Sequence, residues 1–398
     1  MKSKTSSGAL ILLFAAAYFT SYLSRVNYGT VISEMITATG FSKEMLSMAV
    51  TGSFFTYGLG QIVSGFLGDQ ISPKKLLACG LGVTASMNLL LPLCKKPWQM
   101  AVVWSINGFA QAFMWPPLVK LMTVLLPERD YQKGVLWVSY GSGSATILLY
   151  LISPPLIAWM GWKSVFVVAA AVAVLMLVAW LRLCPDPGKV QSKTPETEYV
   201  SGGRGWLFSP AMLGIMLAII LHGMLKDGVA TWMPNYISET YDMDNLLAIL
   251  SGVLMPVLSM VSVKAGALLY RKKFTNPVAC AACVFGISTA TALILVLVNG
   301  SNAISSILLM AMLTGSMHAV NLMLISTIPP FFKKYGMVST ASGVLNACTY
   351  VGSAVSAYGI AALSENLGWS FTLWGWVLIA MCAAGLCALC ARHFQKIM

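Results

Sequence analysis

The stretch Gly65-Phe66-Leu67-Gly68-Asp69-Gln70-Ile71-Ser72-Pro73-Lys74-Lys75 closes a long apolar run with an acid, a proline and two lysines. Its counterpart, Gly266-Ala267-Leu268-Leu269-Tyr270-Arg271-Lys272-Lys273, closes another apolar run 201 residues later. The same offset carries Arg25 onto Lys226. Further along the register drifts: Gly161-Trp162 matches Gly368-Trp369, and Gly108-Phe-Ala-Gln111 resembles Gly315-Ser-Met-His318, both at a shift of 207. The chain therefore reads as two diverged copies of one unit, the first question to ask of any long sequence.

Around these landmarks the apolar runs are long. A helix needs about 20 mostly apolar residues to cross a bilayer core. Charged and turn-forming clusters cut the chain into twelve such spans: 9–35, 45–68, 76–94, 99–126, 134–159 and 164–183, then 208–238, 246–270, 277–298, 303–328, 337–363 and 370–391. The expectation is an all-α membrane protein of twelve transmembrane helices in two pseudo-symmetric six-helix halves, 1–183 and 207–398. The polar stretch 184–206, with Pro185, Pro187, Gly188 and Pro195, reads as a cytoplasmic linker. Lys2 and Lys4 precede the first run as in a signal peptide, but the run is too long for one and reads as an uncleaved first helix.

Composition agrees. Of 398 residues 58% are hydrophobic and 10% charged, against about 25% charged in soluble chains. That argues against a soluble enzyme, a nucleic-acid binder or a disordered adaptor. The net charge of +12 is then a matter of topology. With the N-terminus inside, 17 of the 25 Lys and Arg fall in inside loops and tails, and only Lys43, Lys95, Lys96 and Lys163 fall outside. This asymmetry places both termini in the cytoplasm.

Four basic residues remain within spans: Arg25, Lys120, Lys226 and Lys264. Lys120 and Lys264 lie near cytoplasmic ends and are expected to snorkel. Arg25 and Lys226 lie deeper, where a charge is costly unless it meets a polar cavity or a partner. Repeat-related cations with few matching acids call for an anionic ligand. Lys226 is followed by Asp227, so an internal ion pair competes with that reading. Adjacent helical residues project about 100° apart, so both cannot aim at one ligand without bending.

At these residues a resemblance emerges. The segment Gly65-x-x-x-Asp69-Gln70-x-x-Pro73-Lys74-Lys75 resembles the loop motif between helices two and three of the major facilitator superfamily, with Gln70 where Arg is commoner. Tyr22-x-x-Arg25-x-Asn27, Tyr57-Gly58, Gly108-x-x-Gln111-x-x-x-Trp115-Pro116-Pro117, Gly228-x-x-x-Trp232-x-Pro234-x-Tyr236 and Tyr350-x-Gly352 together resemble the organophosphate:phosphate antiporters, which include glycerol-3-phosphate and hexose-phosphate transporters. The likeness runs from about Ala17 to Trp369.

That resemblance implies a secondary transporter of the inner membrane, exchanging a sugar phosphate or glycerol phosphate for inorganic phosphate by alternating access. Arg25 would hold the phosphate, Lys226 would stand where relatives carry a second Arg, and Tyr18, Tyr22, Tyr57, Gln61, Trp115 and Tyr350 would line the site. Asp227, His222 and Asp69 would serve coupling or gating, Asp69 by meeting a helix N-terminus or a basic partner. No cofactor, metal or nucleic-acid partner is implied, and a monomer in the bilayer suffices. Two other readings stand beside it: a proton-coupled organic-acid symporter, and a sugar-phosphate sensor that does not transport.

Three departures from the glycerol-3-phosphate branch matter: Gln61 replaces a Lys, Gly143 a His and Gly223 a Tyr. They imply a less basic, emptier site. His318, placed like Gln111 of the other half, is a weaker candidate for the cavity. The pairs Cys280/Cys283 and Cys387/Cys390 lie in apolar spans without acidic or histidine companions and read as small helix residues. Gly141-Ser142-Gly143-Ser144 reads as close helix packing and not as a phosphate loop, and the sequon at Asn299 as chance. No catalytic triad, metal cluster or nucleotide motif appears, so no enzyme is expected.

Overall fold

A computed structural model describes residues 6–41, 43–186, 202–242 and 254–395. Most of the linker and the start of the eighth expected span lie outside the described residues. The helices are α1 (Ser7–Thr39), α2 (Lys43–Gln70), α3 (Pro73–Leu90), α4 (Pro97–Gln111), α5 (Trp115–Leu125), α6 (Glu128–Met160) and α7 (Lys163–Leu183). After a short helical turn at Gly203–Leu207 come α8 (Pro210–Tyr241), α9 (Leu254–Lys273), α10 (Pro277–Leu297), α11 (Ala303–Asn321) and α12 (Val338–Phe394). The described part of each of the twelve expected spans falls on helix.

The departures from that plan have local causes. The fourth span is broken between α4 and α5. Pro116 and Pro117 lack the N–H that would reach back one turn, and their rings crowd the carbonyls of Ala112 and Phe113. The turn closes instead through tighter bonds, Phe113 N–H to Ala110 O at 3.0 Å and Met114 N–H to Gln111 O at 3.1 Å. Downstream of α11 the helix widens into a π-turn over Leu322–Ser326, with Thr327 N–H on Leu322 O at 3.0 Å. The eleventh and twelfth spans share α12 and are separated by a break at Gly368, φ 79°. Gly161, between α6 and α7, has φ 74°. The repeat read from sequence thus recurs in the backbone: Gly161-Trp162 and Gly368-Trp369 occupy the same left-handed corner, which favours glycine.

Nine segments among the described residues are long and apolar enough to span a bilayer. The other three expected spans are α2, the broken α4–α5 and the first part of α12. α2 and that part of α12 are rich in Gly, Ser and Thr, which permits close helix packing. Large apolar side chains point outward on many helices, among them Leu12, Trp159, Leu175 and Leu297, all more than 60% exposed; a bilayer would cover them.

The structure separates into two compact units, Met1–Val200 with Phe332–Val344, and Ser201–Phe331 with Leu345–Met398. The opening turns of α12 cluster with the first unit. In the first unit α1 packs on α6, α2 on α4 and α3 on α7; in the second, α11 packs on α8, α9 and α10. Glycines set the closest approaches. A Cβ at Gly141 would meet Ala15 O at 2.5 Å, so the Gly-Ser run is indeed a packing seam. Gly315, the repeat partner of Gly108, lies against Leu258 O, and Gly108 against Ser53 O.

Candidate functional site

In the first unit Tyr18, Ser21, Tyr22 and Arg25 share one face of α1, at the i, i+3, i+4, i+7 spacing of a helical stripe. The Arg25 guanidinium carbon lies 4.3 Å from the Tyr22 ring centre and 4.8 Å from that of Tyr57 on α2. Each such contact is worth about 0.5–2 kcal/mol, more as water is excluded. Tyr18 continues the row, 5.1 Å from Tyr22 and 5.2 Å from Trp115 between ring centres. Arg25, Tyr22 and Tyr18 are partly exposed, whereas Tyr57 and Trp115 are buried. The planar fork of guanidinium donors suits a phosphate or carboxylate.

The polar groups behind this row fix α1. Ser24, Asn27, Asn88 and Asn107 are all fully buried. Asn27 Nδ2 donates to Asn88 Oδ1 at 2.8 Å, and the Nδ2 groups of Asn88 and Asn107 both donate to Ser24 O, at 3.1 and 3.2 Å. One backbone carbonyl next to Arg25 is thereby tied to α3 and α4. The sequence reading passed over Asn88 and Asn107, although an asparagine inside an apolar span was the available signal. Ser21 Oγ donates to Gln111 Oε1 at 2.5 Å. The other amide end, Gln111 Nε2, and the Trp115 indole N–H are buried without a hydrogen-bond partner. Gln61 is buried, its Nε2 donating to Ala112 O at 3.4 Å in the α4–α5 break.

The second unit gathers a different set. Lys226 Nζ lies 3.4 Å from Asp227 Oδ1, so the internal ion pair forms. Asp227 Oδ2 also accepts from Ser353 Oγ on α12. His222 is fully buried and its Nε2 lies 2.9 Å from Met317 O. His318 Nδ1 sits 3.0 Å from Thr314 O and 3.1 Å from Ser259 Oγ. Tyr350 is half-buried on α12.

Two expectations need correction. Gly223 is not an empty place left by a missing tyrosine. A Cβ there would collide with Thr349 O, so α12 fills that volume with backbone. Lys120 does not snorkel. Its side chain is only 17% exposed, and its ammonium lies 3.2 Å from Asp69 Oδ1 and donates to Gly68 O at 2.9 Å. Lys264 is exposed, as expected.

Sequence comparison matches residues 14–357 to the family model of the Major Facilitator Superfamily. The chain belongs to this superfamily. It is therefore a multi-pass membrane protein of the twelve-helix facilitator fold. The crystal structure of the Escherichia coli fucose:proton symporter FucP superposes with a TM-score of 0.72 at 15% identity, covering 98% of this chain and 99% of that one. Among curated proteins, the chain is 27% identical to the probable hexose phosphate transport protein of Chlamydia pneumoniae over 42% of its length and 38% of that protein's. It is 25% identical to the glycerol-3-phosphate transporter of Bacillus subtilis over 55% and 54%. It is 23% identical to the membrane sensor protein UhpC of Salmonella typhimurium over 60% and 58%. The matched regions thus span about two-fifths to three-fifths of these relatives.

In this facilitator chain Asp69, the next-to-last residue of α2, has several partners. Besides Lys120, its carboxylate accepts from Ser339 N–H at 3.0 Å and Thr340 N–H at 2.7 Å, in the first turn of α12. Unpaired amides and the helix dipole favour an anion there. A Cβ at Gly65, one turn before Asp69, would meet Ser339 O at 2.8 Å. Glycine lets α2 approach close enough for the acid to reach both amides.

Proposed function

We propose that this facilitator is a secondary active transporter that carries a small organic anion, a sugar phosphate or glycerol phosphate, in exchange for inorganic phosphate by alternating access. The observation that carries the reading is Arg25, set within an apolar helix against the rings of Tyr22 and Tyr57. A guanidinium in this setting recognises a phosphoryl group through its forked donors. The named relatives include hexose-phosphate and glycerol-3-phosphate transporters.

In this reading Arg25 and Lys226 bind the phosphoryl group, with Tyr18, Tyr22, Tyr57, Gln61, Trp115 and Tyr350 contributing to substrate binding. His222 orders α8 beneath Lys226. Asp69 latches one conformation by holding the start of α12. The carrier comprises two six-helix halves, 1–183 and 207–398, joined by a cytoplasmic linker, and works as a monomer in the inner membrane with both termini inside.

The test is exchange of labelled phosphate in proteoliposomes. Wild-type protein should exchange external for internal phosphate, and Arg25→Ala should abolish the exchange. Exchange that survives Arg25→Ala overturns the site. A second reading, a sensor that binds a sugar phosphate without transporting it, is favoured by the match to UhpC over 60% of the chain. Ligand binding without measurable exchange would select it.

A further inference from the structure

α8 presents two faces to its neighbours. Gly223 and Asp227, one turn apart, lie toward α12, Gly223 against Thr349 O and Asp227 on Ser353 Oγ. His222 and Lys226, also one turn apart, share a different face, and His222 meets Met317 of α11. Side chains at i and i+1 do not face each other on a helix. Even so, the Lys226 ammonium lies 3.4 Å from Asp227. With Asp227 held on Ser353, the long, flexible lysine is the side chain able to bend toward its partner. Asp227 is the more open partner, with its side chain 37% exposed against 18% for Lys226.

Ser353 supplies a second holder for the carboxylate. Its hydroxyl has one proton and two acceptors within reach, Asp227 Oδ2 and Thr349 O at 2.9 Å. The Thr349 carbonyl lies inside a continuous helix and has its own intrahelical donor, so the serine proton can remain on Asp227 when the lysine leaves.

We propose that Asp227 is a tethered counter-anion that occupies Lys226 until substrate displaces it, and that it thereby selects for singly charged phosphoryl groups. This rests on the anion-binding reading above. An incoming phosphoryl oxygen takes the place of Asp227 Oδ1, Lys226 returns to its own face beside His222, and Asp227 stays on Ser353. With the acid present, Lys226 and Asp227 sum to zero charge, and a second negative charge on the ligand meets the carboxylate at short range.

The probes are methyl phosphate, doubly charged at pH 8, and dimethyl phosphate, singly charged, which share a phosphorus centre. Binding is measured calorimetrically on the purified full-length protein. Asp227→Asn, nearly isosteric, should tighten methyl phosphate about tenfold and dimethyl phosphate by less than about threefold. Asp227→Glu should keep the wild-type preference. In a Lys226→Gln background Asp227→Asn should no longer tighten dimethyl phosphate, because the displaced contact is gone, and should keep only the charge-dependent part of its gain on methyl phosphate. Equal effects on both esters, weaker binding in Asp227→Asn, or a full gain without Lys226 would each overturn the proposal. If the wild type binds either ester through Arg25 yet Asp227→Asn does not discriminate, only this proposal fails. If neither wild type nor Asp227→Asn binds either ester, the anion-binding reading fails with it.

Discussion

Asp69 and Lys120 form an ion pair of 3.2 Å between the end of α2 and the middle of α5, with side chains 10% and 17% exposed. Neither charge is left to water. The carboxylate spends its remaining capacity on two amides of α12, and the ammonium donates to Gly68 O. Removing one partner strands the other in a poorly hydrated place, and the penalty for an unpaired buried charge exceeds the net worth of the pair.

Lys120→Met should therefore cost about 1–3 kcal/mol, and Asp69→Asn at least as much because two amides also lose an anion. The double variant should be less destabilised than the sum of the singles. Thermal unfolding of detergent-purified protein, read as a double-mutant cycle, checks this. Strict additivity would mean that the two side chains do not interact.

Gly223 and Gly352 should tolerate no side chain. A Cβ at Gly223 meets Thr349 O, and one at Gly352 meets Ile220 O. Backbone cannot yield as a flexible side chain does, so Gly223→Ala and Gly352→Ala should each cost about 1–3 kcal/mol or more. Gly286→Ala and Gly385→Ala, where nothing lies within 4 Å, should be neutral or stabilising by up to about 1 kcal/mol. Melting temperatures of the four variants separate close packing from helix propensity. Gly223→Tyr, the residue of the glycerol-3-phosphate branch, should fail to fold or force α12 away.

At Arg25 shape should matter as well as charge. Arg25→Lys keeps the cation but loses the planar fork and its fit against Tyr22 and Tyr57, and should weaken phosphate binding about tenfold or more. Tyr22→Phe retains the ring face and should cost less than Tyr22→Ala. Calorimetric titration with phosphate decides. A wild-type affinity in Arg25→Lys would show that a point charge suffices.

Cys184, just beyond α7, should resist alkylation. Burial pushes its thiol from 9.0 up to about 12; the nearby Lys74 charge opposes this shift and Asp186 adds to it. The thiolate is the reactive form, so at pH 8 maleimide should label Cys184 far more slowly than the unfolded chain. The sign for stability follows. Below pH 9 both states keep the proton. Between pH 9 and about 12 only the unfolded chain ionises, so this thiol lowers stability as pH rises through that window. Peptide mass spectrometry after timed labelling provides the check.

Much of this protein was legible in one dimension. Hydrophobic run length marked the twelve spans, and an offset of 201 found Lys226 from Arg25. The pair Gly161 and Gly368 was matched by sequence before both appeared as positive-φ corners. These features depend on a residue and its chain neighbours: the cost of burying polar backbone in lipid, the missing Cβ of glycine, the price of a charge at membrane depth. The proline pair 116–117 belonged to the same class, and its break was readable though unread.

Partnerships were decided only in three dimensions. Lys120 looked like a snorkelling lysine until α2 brought Asp69 beside it. Gly223 looked like an empty place until α12 filled it. Asp69 caps amides 270 residues away, and Ser353 holds Asp227 across 126 residues. Pairing free energies depend on distance and burial, which are set when helices pack. A sequence states which charges must be satisfied, and only packing decides by whom.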